Sequence, residues 1–261
     1  MACEVIDAGG AAGHAGPMTD ASTGLHPLDD AVRLEPTGPG AYRGATSAAY
    51  WNMAGPFGGT TAAILMKAVL DHPQRRGRPV AQTVNFCAAV AEGAFDVSVR
   101  LVRDGRSAQH WQVEMLQAAQ SPVLDTADRS GWRGRYEFRF EGGEPVAGTA
   151  SPQTPGGGLS HSWVRDEPPR PLDYASLAAI CDTFVVKILQ VRGDIPPVAT
   201  LSLSSCFMAD EAALARQGAR PVLGVAEARV FRHGFNDQSA EIWSDDGVLL
   251  AVSHQVVWFK G

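Results

Sequence analysis

The sequence predicts an α+β fold in which one plan occurs twice, each copy an antiparallel sheet wrapped around a single central helix. Three observations carry this prediction. First, two hairpins answer each other: "LVRDGRSAQHWQVEML" joins two alternating apolar runs through Asp104-Gly105, and "VFRHGFNDQSAEIW" does the same through His233-Gly234. They share an apolar pair, an Arg (Arg103, Arg232), a Gly turn (Gly105, Gly234) and a Gln (Gln109, Gln238). Second, a strand pattern that begins after proline stands upstream of each hairpin, "RPVAQTVNFCAAV" and "PPVATLSLSSCFMA". Third, a helical pattern precedes each of those strands, "TTAAILMKAVLDH" and "SLAAICDTFVVKIL".

Taken in order, residues 1–40 form an N-terminal segment expected to be at least partly disordered. Its first 17 residues are Gly/Ala-rich without periodicity and are followed by Met18, so they read as disordered or as an over-extended start. Residues 41–150 form the first copy and 151–261 the second. "RGRYEFRFEGG" has a strand pattern that could finish the first copy or begin the second, and "SPQTPGGGLS" reads as the linker. The second copy closes on "GVLLAVSHQVVWF", an apolar and β-branched run suited to a central strand.

Composition narrows the function classes. A chain of 261 residues that is 45% hydrophobic and 19% charged can bury a substantial core. A formal net charge of -6 without a long Lys/Arg run argues against nucleic acid as a partner, because phosphate neutralisation needs a basic surface. No run of apolar residues has spanning length and the N-terminus lacks a basic start before an apolar core, so neither membrane insertion nor export is expected. Cys3, Cys87, Cys181 and Cys206 have neither zinc-site spacing nor disulfide-scaffold density, which fits a reducing cytoplasm and packing roles. No G-x-S-x-G elbow is present, which disfavours a serine hydrolase.

From about Ala41 to Phe259 the chain resembles the double-hotdog acyl-CoA thioesterases of the thioesterase II type. "AYWNMAGPFGGTTAA" resembles the family's Gly-Gly entry into the first central helix, and "FDVSVRLVRDGRSAQHWQVEML" its following hairpin. "PRPLDYASLAAICDTF", "PVATLSLSSCF" and "DDGVLLAVSHQVVWF" resemble the second helix, strand and last strand. The resemblance implies a double hotdog, the covalent equivalent of a single-hotdog dimer, and a catalytic Asp, Thr and Gln that fall by motif on Asp182, Thr200 and Gln255. The hydroxyl is the least fixed of these, since Ser202 and Ser204 follow at strand spacing. The substrate implied is an acyl thioester of coenzyme A or of an acyl carrier, with no metal and no other cofactor. A homo-oligomer is expected from sheet edges and apolar faces that pair further.

The residues agree with that chemistry. A helical Asp182 would have Ala178, Ala179, Val185 and Val186 above and below it, none able to pair with a charge. Gln255 shares its strand face with Leu249, Ala251, Val257 and Phe259, so its amide needs a polar partner there. A water held by an ionised Asp beside that amide and a hydroxyl is prepared to attack a carbonyl. Gly58 and Gly59, at a helix start, are candidate donors to the developing oxyanion. Arg75, Arg76 and Arg78 are candidate contacts for coenzyme A phosphates, or a solvated loop. Two other readings stand beside thioester hydrolysis: a non-catalytic acyl-CoA or acyl-carrier binding module, and a hotdog hydratase or dehydratase, which would need His233 or His254 in the pocket.

Overall fold

A computed structural model of the protein describes residues 2–6, 24–52, 55–117, 131–144, 158–184 and 187–260. Its alternating apolar runs form one antiparallel sheet of thirteen strands, counting the two-residue Phe231–Arg232. The strands used below are β1 (Ala2–Ile6), β2 (Glu35–Gly38), β3 (Ala41–Ala45), β4 (Arg78–Asn85), β5 (Ala94–Asp104) and β6 (Ala108–Leu116). They continue with β7 (Tyr136–Gly142), β8 (Ser160–Asp166), β9 (Val198–Phe207), β10 (Val222–Glu227), β11 (Phe235–Trp243) and β12 (Leu249–Phe259).

The order across the sheet is β2-β3-β5-β6-β1-β4-β9-β12-β11-β10-β8-β7. The repeat is visible in it. β3-β5-β6-β1-β4 in the first half mirrors β8-β10-β11-β12-β9 in the second, and the halves join where β4 pairs with β9, Leu203 opposite Val84 and Ser205 opposite Gln82. This is the double hotdog.

Two segments that pattern alone left open are placed by pairing. β7, from "RGRYEFRFEGG", pairs with β8 and so extends the second half. Residues 2–6, expected to lie in a disordered segment, form β1 between β4 and β6, the place β12 holds in the second half. Five residues are too few for periodicity to show; two flanking backbone ladders draw the segment in. Most of the predicted linker, residues 151–157, lies outside the described residues.

Helices α2 (Gly58–Leu70) and α3 (Tyr174–Ile180) are the two central helices, following the short α1 (Pro27–Ala31). In α2, Gly59 through Met66, Ala68 and Val69 are buried, and every residue of α3 is buried. Helices so apolar around their circumference are stable only when covered on most sides, and the sheet covers them with Val97, Trp111, Val113, Val164 and Leu203. α2 also packs directly on α3: a Cβ at Gly59 would lie 2.5 Å from the Ala179 carbonyl oxygen.

The second helical pattern is shorter than "SLAAICDTFVVKIL" predicts. α3 stops at Ile180, and a separate α4 covers Lys187–Arg192. Between them the chain tightens into i→i−3 bonds, Asp182 N–H to Ala179 O at 3.0 Å and Thr183 N–H to Ile180 O at 3.0 Å. The Thr183 hydroxyl also donates to Ile180 O, 2.9 Å, a side-chain bond that competes with the helical ladder. Asp182 therefore sits on a turn at the end of α3 and not in mid-helix. Val185 and Val186, its expected helical neighbours, lie outside the described residues.

Phe184, just after this turn, lies flat on β10 because position 224 has no side chain. A Cβ there would stand 1.9 Å from Phe184 Cε1. Replacing Gly224 by Ala is expected to lower stability by roughly 1–3 kcal/mol, the usual cost of overpacking. Chemical denaturation of parent and variant measures this, and an unchanged midpoint would show that Phe184 is not wedged there.

Candidate active site

Where α2 begins, α3 ends and β9 meets β12, the structure encloses a cavity of about 350 Å³. Its walls are largely aromatic and aliphatic, among them Phe57, Phe86, Trp132, Phe184, Ile195 and Val257. Phe57 and Trp132 stack, ring centroids 4.4 Å apart, which fixes one wall. Both halves contribute: Gly58 and Phe86 come from the first, Asp182, Thr200 and Gln255 from the second.

The structure brings Asp182, Thr200 and Gln255 together. The Thr200 hydroxyl donates to Gln255 Oε1 at 3.4 Å, and Gln255 Nε2 donates to the Cys181 carbonyl at 3.4 Å. The Gln255 amide and the Gly59 backbone N–H act on the Asp182 carboxylate as donors that favour its ionised form. Burial raises the Asp182 pKa from its ordinary 3.8 to about 7, against the lowering effect of those two donors.

Which hydroxyl faces Gln255 is decided by a β-bulge. Thr200 pairs with Val257, but Ser202 pairs with Val256, so the register slips by one residue at Leu201. A one-residue slip exchanges faces: Thr200 keeps the face of Gln255, while Ser202 and Ser204 turn to the other side. There Ser204 Oγ lies 3.2 Å from Thr83 Oγ1. The even spacing that grouped the three hydroxyls in the sequence does not survive the bulge.

The two glycines divide their work. A Cβ at Gly58 would stand 2.7 Å from Asp182 Oδ2, so the lack of a side chain is what lets the helix start approach the carboxylate. The Gly59 N–H favours the ionised form of Asp182, and Gly59 is not part of the cavity lining. Gly58, at the first helical position and on the cavity wall, has no intrahelical acceptor for its N–H.

The arginine cluster sits elsewhere. Arg75 donates to Leu70 O at 2.9 Å and to Gly77 O at 2.6 Å; Arg76 pairs with Asp104; Arg78 donates to Ala209 O at 2.8 Å. None of the three lines the cavity, whose lining includes instead Arg133, an exposed residue that no motif pointed to. Gln238 was also missed as a site residue, although the hairpin repeat had marked it. His233 and His254 are exposed, and neither lines the cavity. Burial pushes the Cys181 thiol up to about 12, which keeps it protonated and inert. Among the described residues there is no cluster suited to a metal, and no helix is long and apolar enough to cross a membrane.

Comparison with known proteins places this geometry in context. The acyl-CoA thioesterase C-terminal domain profile matches residues 114–259, and the N-terminal domain profile residues 47–128. A hot-dog-fold protein of unknown function from Alicyclobacillus acidocaldarius is 34% identical, with 91% of this chain and 99% of that one covered and a TM-score of 0.77. An acyl-CoA thioesterase II from Mycobacterium marinum shares the fold at 17% identity, covering 89% and 96%, with a TM-score of 0.64. The TesB protein of Mycobacterium avium subspecies paratuberculosis does so at 15% identity, covering 90% and 98%, with a TM-score of 0.66. No curated protein matches the chain significantly.

The raised pKa of Asp182 has a consequence for stability. Between pH 4 and pH 7 the folded chain holds a proton on Asp182 that the unfolded chain has released, so stability falls as pH rises through that window and levels off above it. Asp182→Asn removes the titration. The variant's thermal midpoint relative to the parent is therefore expected to rise from pH 4.5 to pH 8. A difference that stays constant across a series of melting curves would contradict the shifted carboxyl.

Proposed function

We propose that this chain, which belongs to the acyl-CoA thioesterase family, hydrolyses an acyl thioester by direct attack of water. The observation that supports this best is the half-buried Asp182 at the cavity wall, beside Gln255 and the start of α2. An ionised carboxylate facing an apolar cavity has a use in catalysis and a cost in folding.

In this reading Asp182 accepts the proton of a water held by Thr200 and Gln255. The water oxygen bonds to the thioester carbon, the carbonyl oxygen gains negative charge, and collapse of that intermediate breaks the carbon–sulfur bond. The departing sulfur leaves as a thiol once the proton reaches it, and the acid is released. In this reading Gly58 N–H, at the positive end of α2 and on the cavity wall, stabilises the oxyanion, whereas Gly59 N–H favours the ionised form of Asp182. Of the glycine pair only Gly58 lines the cavity, which supports proposing it for the oxyanion role. An anionic carrier, coenzyme A or a protein-bound phosphopantetheine, would meet Arg133 at the cavity.

Asp182 must be ionised to act as base. Thiol release is expected to increase with pH through about 7 and then level off, and Asp182→Asn is expected to lower it by roughly 10²–10⁴-fold while the protein stays folded. A coupled thiol assay over a panel of acyl-CoA esters measures both. A folded parent that binds acyl-CoA without releasing thiol would instead support a binding module.

Gly58→Ala is expected to cost more in turnover than in stability, because the new methyl meets Asp182 Oδ2 and Phe86 before it meets the core. The comparison of kcat/KM with the thermal midpoint decides this, and equal losses in both would make the glycine a packing residue alone.

A further inference from the structure

The cavity contains an acceptor that hydrolysis does not use. Gln238, on β11, is 3% exposed and lines the cavity directly opposite Gln255 in the β11–β12 ladder. Its Nε2 donates to the Phe184 carbonyl at 3.2 Å. That carbonyl can only accept, so the amide cannot be turned around, and the atom left over is Oε1, an acceptor open to the cavity to which no described residue donates.

The corresponding glutamine of the first half behaves differently. Gln109 accepts from Arg76 N–H at 2.8 Å and donates to Gln74 O at 3.0 Å, so its amide is used at both ends. One hairpin motif therefore has a closed amide in one half and an open one in the other. Asn236, the next residue on the same face of β11, is 2% exposed and likewise keeps an Oδ1 without a partner among the described residues. Only Gln238 of the two lines the cavity, so its Oε1 is the acceptor open to a donor there.

Side chains directly opposite in an antiparallel ladder have Cβ atoms about 5 Å apart, so Gln238 stands one strand beyond Gln255. We infer that Gln238 selects acyl groups bearing a hydroxyl on the carbon chain close to the thioester, the hydroxyl donating to Gln238 Oε1. This rests on the thioester reading above and specifies its acyl group. A plain chain that displaces water from this cavity-facing acceptor gives it no donor in return, so the site discriminates against that chain.

The test compares each straight-chain acyl-CoA with its analogues hydroxylated at the second, third or fourth carbon. Turnover is measured with the parent and Gln238→Leu, and binding with Asp182→Asn, which does not depend on turnover. A preference for one hydroxylated ester of about tenfold or more in kcat/KM, matched in binding and abolished by Gln238→Leu, is the expected result. Turnover of plain and hydroxylated esters at equal rates by the parent would overturn the inference and leave the thioesterase reading intact. Binding with the preference but no turnover would support Gln238 and remove the hydrolase. Should Gln238→Leu fail to fold, Gln238→Met serves, and equal rates for the parent remain decisive without either variant.

Discussion

Everything in the site depends on how one carboxylate is held at the edge of an apolar cavity. Partial desolvation raises the Asp182 pKa, and the Gly59 N–H and the Gln255 amide hold it within reach of ionisation near neutral pH. Both demand close approach. The first requires that α2 begin against the end of α3 with no side chain at positions 58 or 59, where a Cβ would strike Asp182 Oδ2 or the Ala179 carbonyl. The second requires that Gln255 lie on the inward face of β12, facing the turn where α3 stops.

The repeat supplies this geometry only once. Aligning "TTAAILM" with "SLAAICD" puts Met66 where the second half has Asp182, and aligning "PVAQ" with "PVAT" puts Gln82 in place of Thr200. Met66 is fully buried, and Gln82 donates to Ala62 O at 3.0 Å, so the first half spends these positions on packing and on its own backbone. What it contributes to the cavity is the start of α2 and the aromatic side chains of Phe57 and Phe86. One half carries the acid and the other the helix end, which makes a single site of two copies.

The double hotdog was legible because it is written in periodicity and order, and those signals repeat. Asp182, Thr200 and Gln255 were named by motif, but three features of their arrangement were not readable. The end of α3 depends on Thr183 bonding back to Ile180, where apolar spacing continued past it. The bulge at Leu201 turns Ser202 and Ser204 away, and a bulge leaves no mark in an alternating pattern. The arginine cluster looked like a phosphate site because charge is visible in a sequence and its partners are not: Arg76 is occupied by Asp104 and Arg78 by a carbonyl of the second half. Gln238 shows the reverse case, a residue singled out as part of a hairpin frame whose placement on the cavity wall only the fold reveals.

The most direct test of this account is the titration of the Asp182 carboxyl itself, followed by isotope-edited infrared or carbon NMR spectroscopy and assigned by its loss in Asp182→Asn. The account expects a group that ionises near pH 7 in the folded protein and at still higher pH when Gln255→Leu removes a donor to its charged form. A carboxyl that ionises near 4, unmoved by that substitution, would show that Asp182 is not held as the structure holds it and would contradict its role as the base.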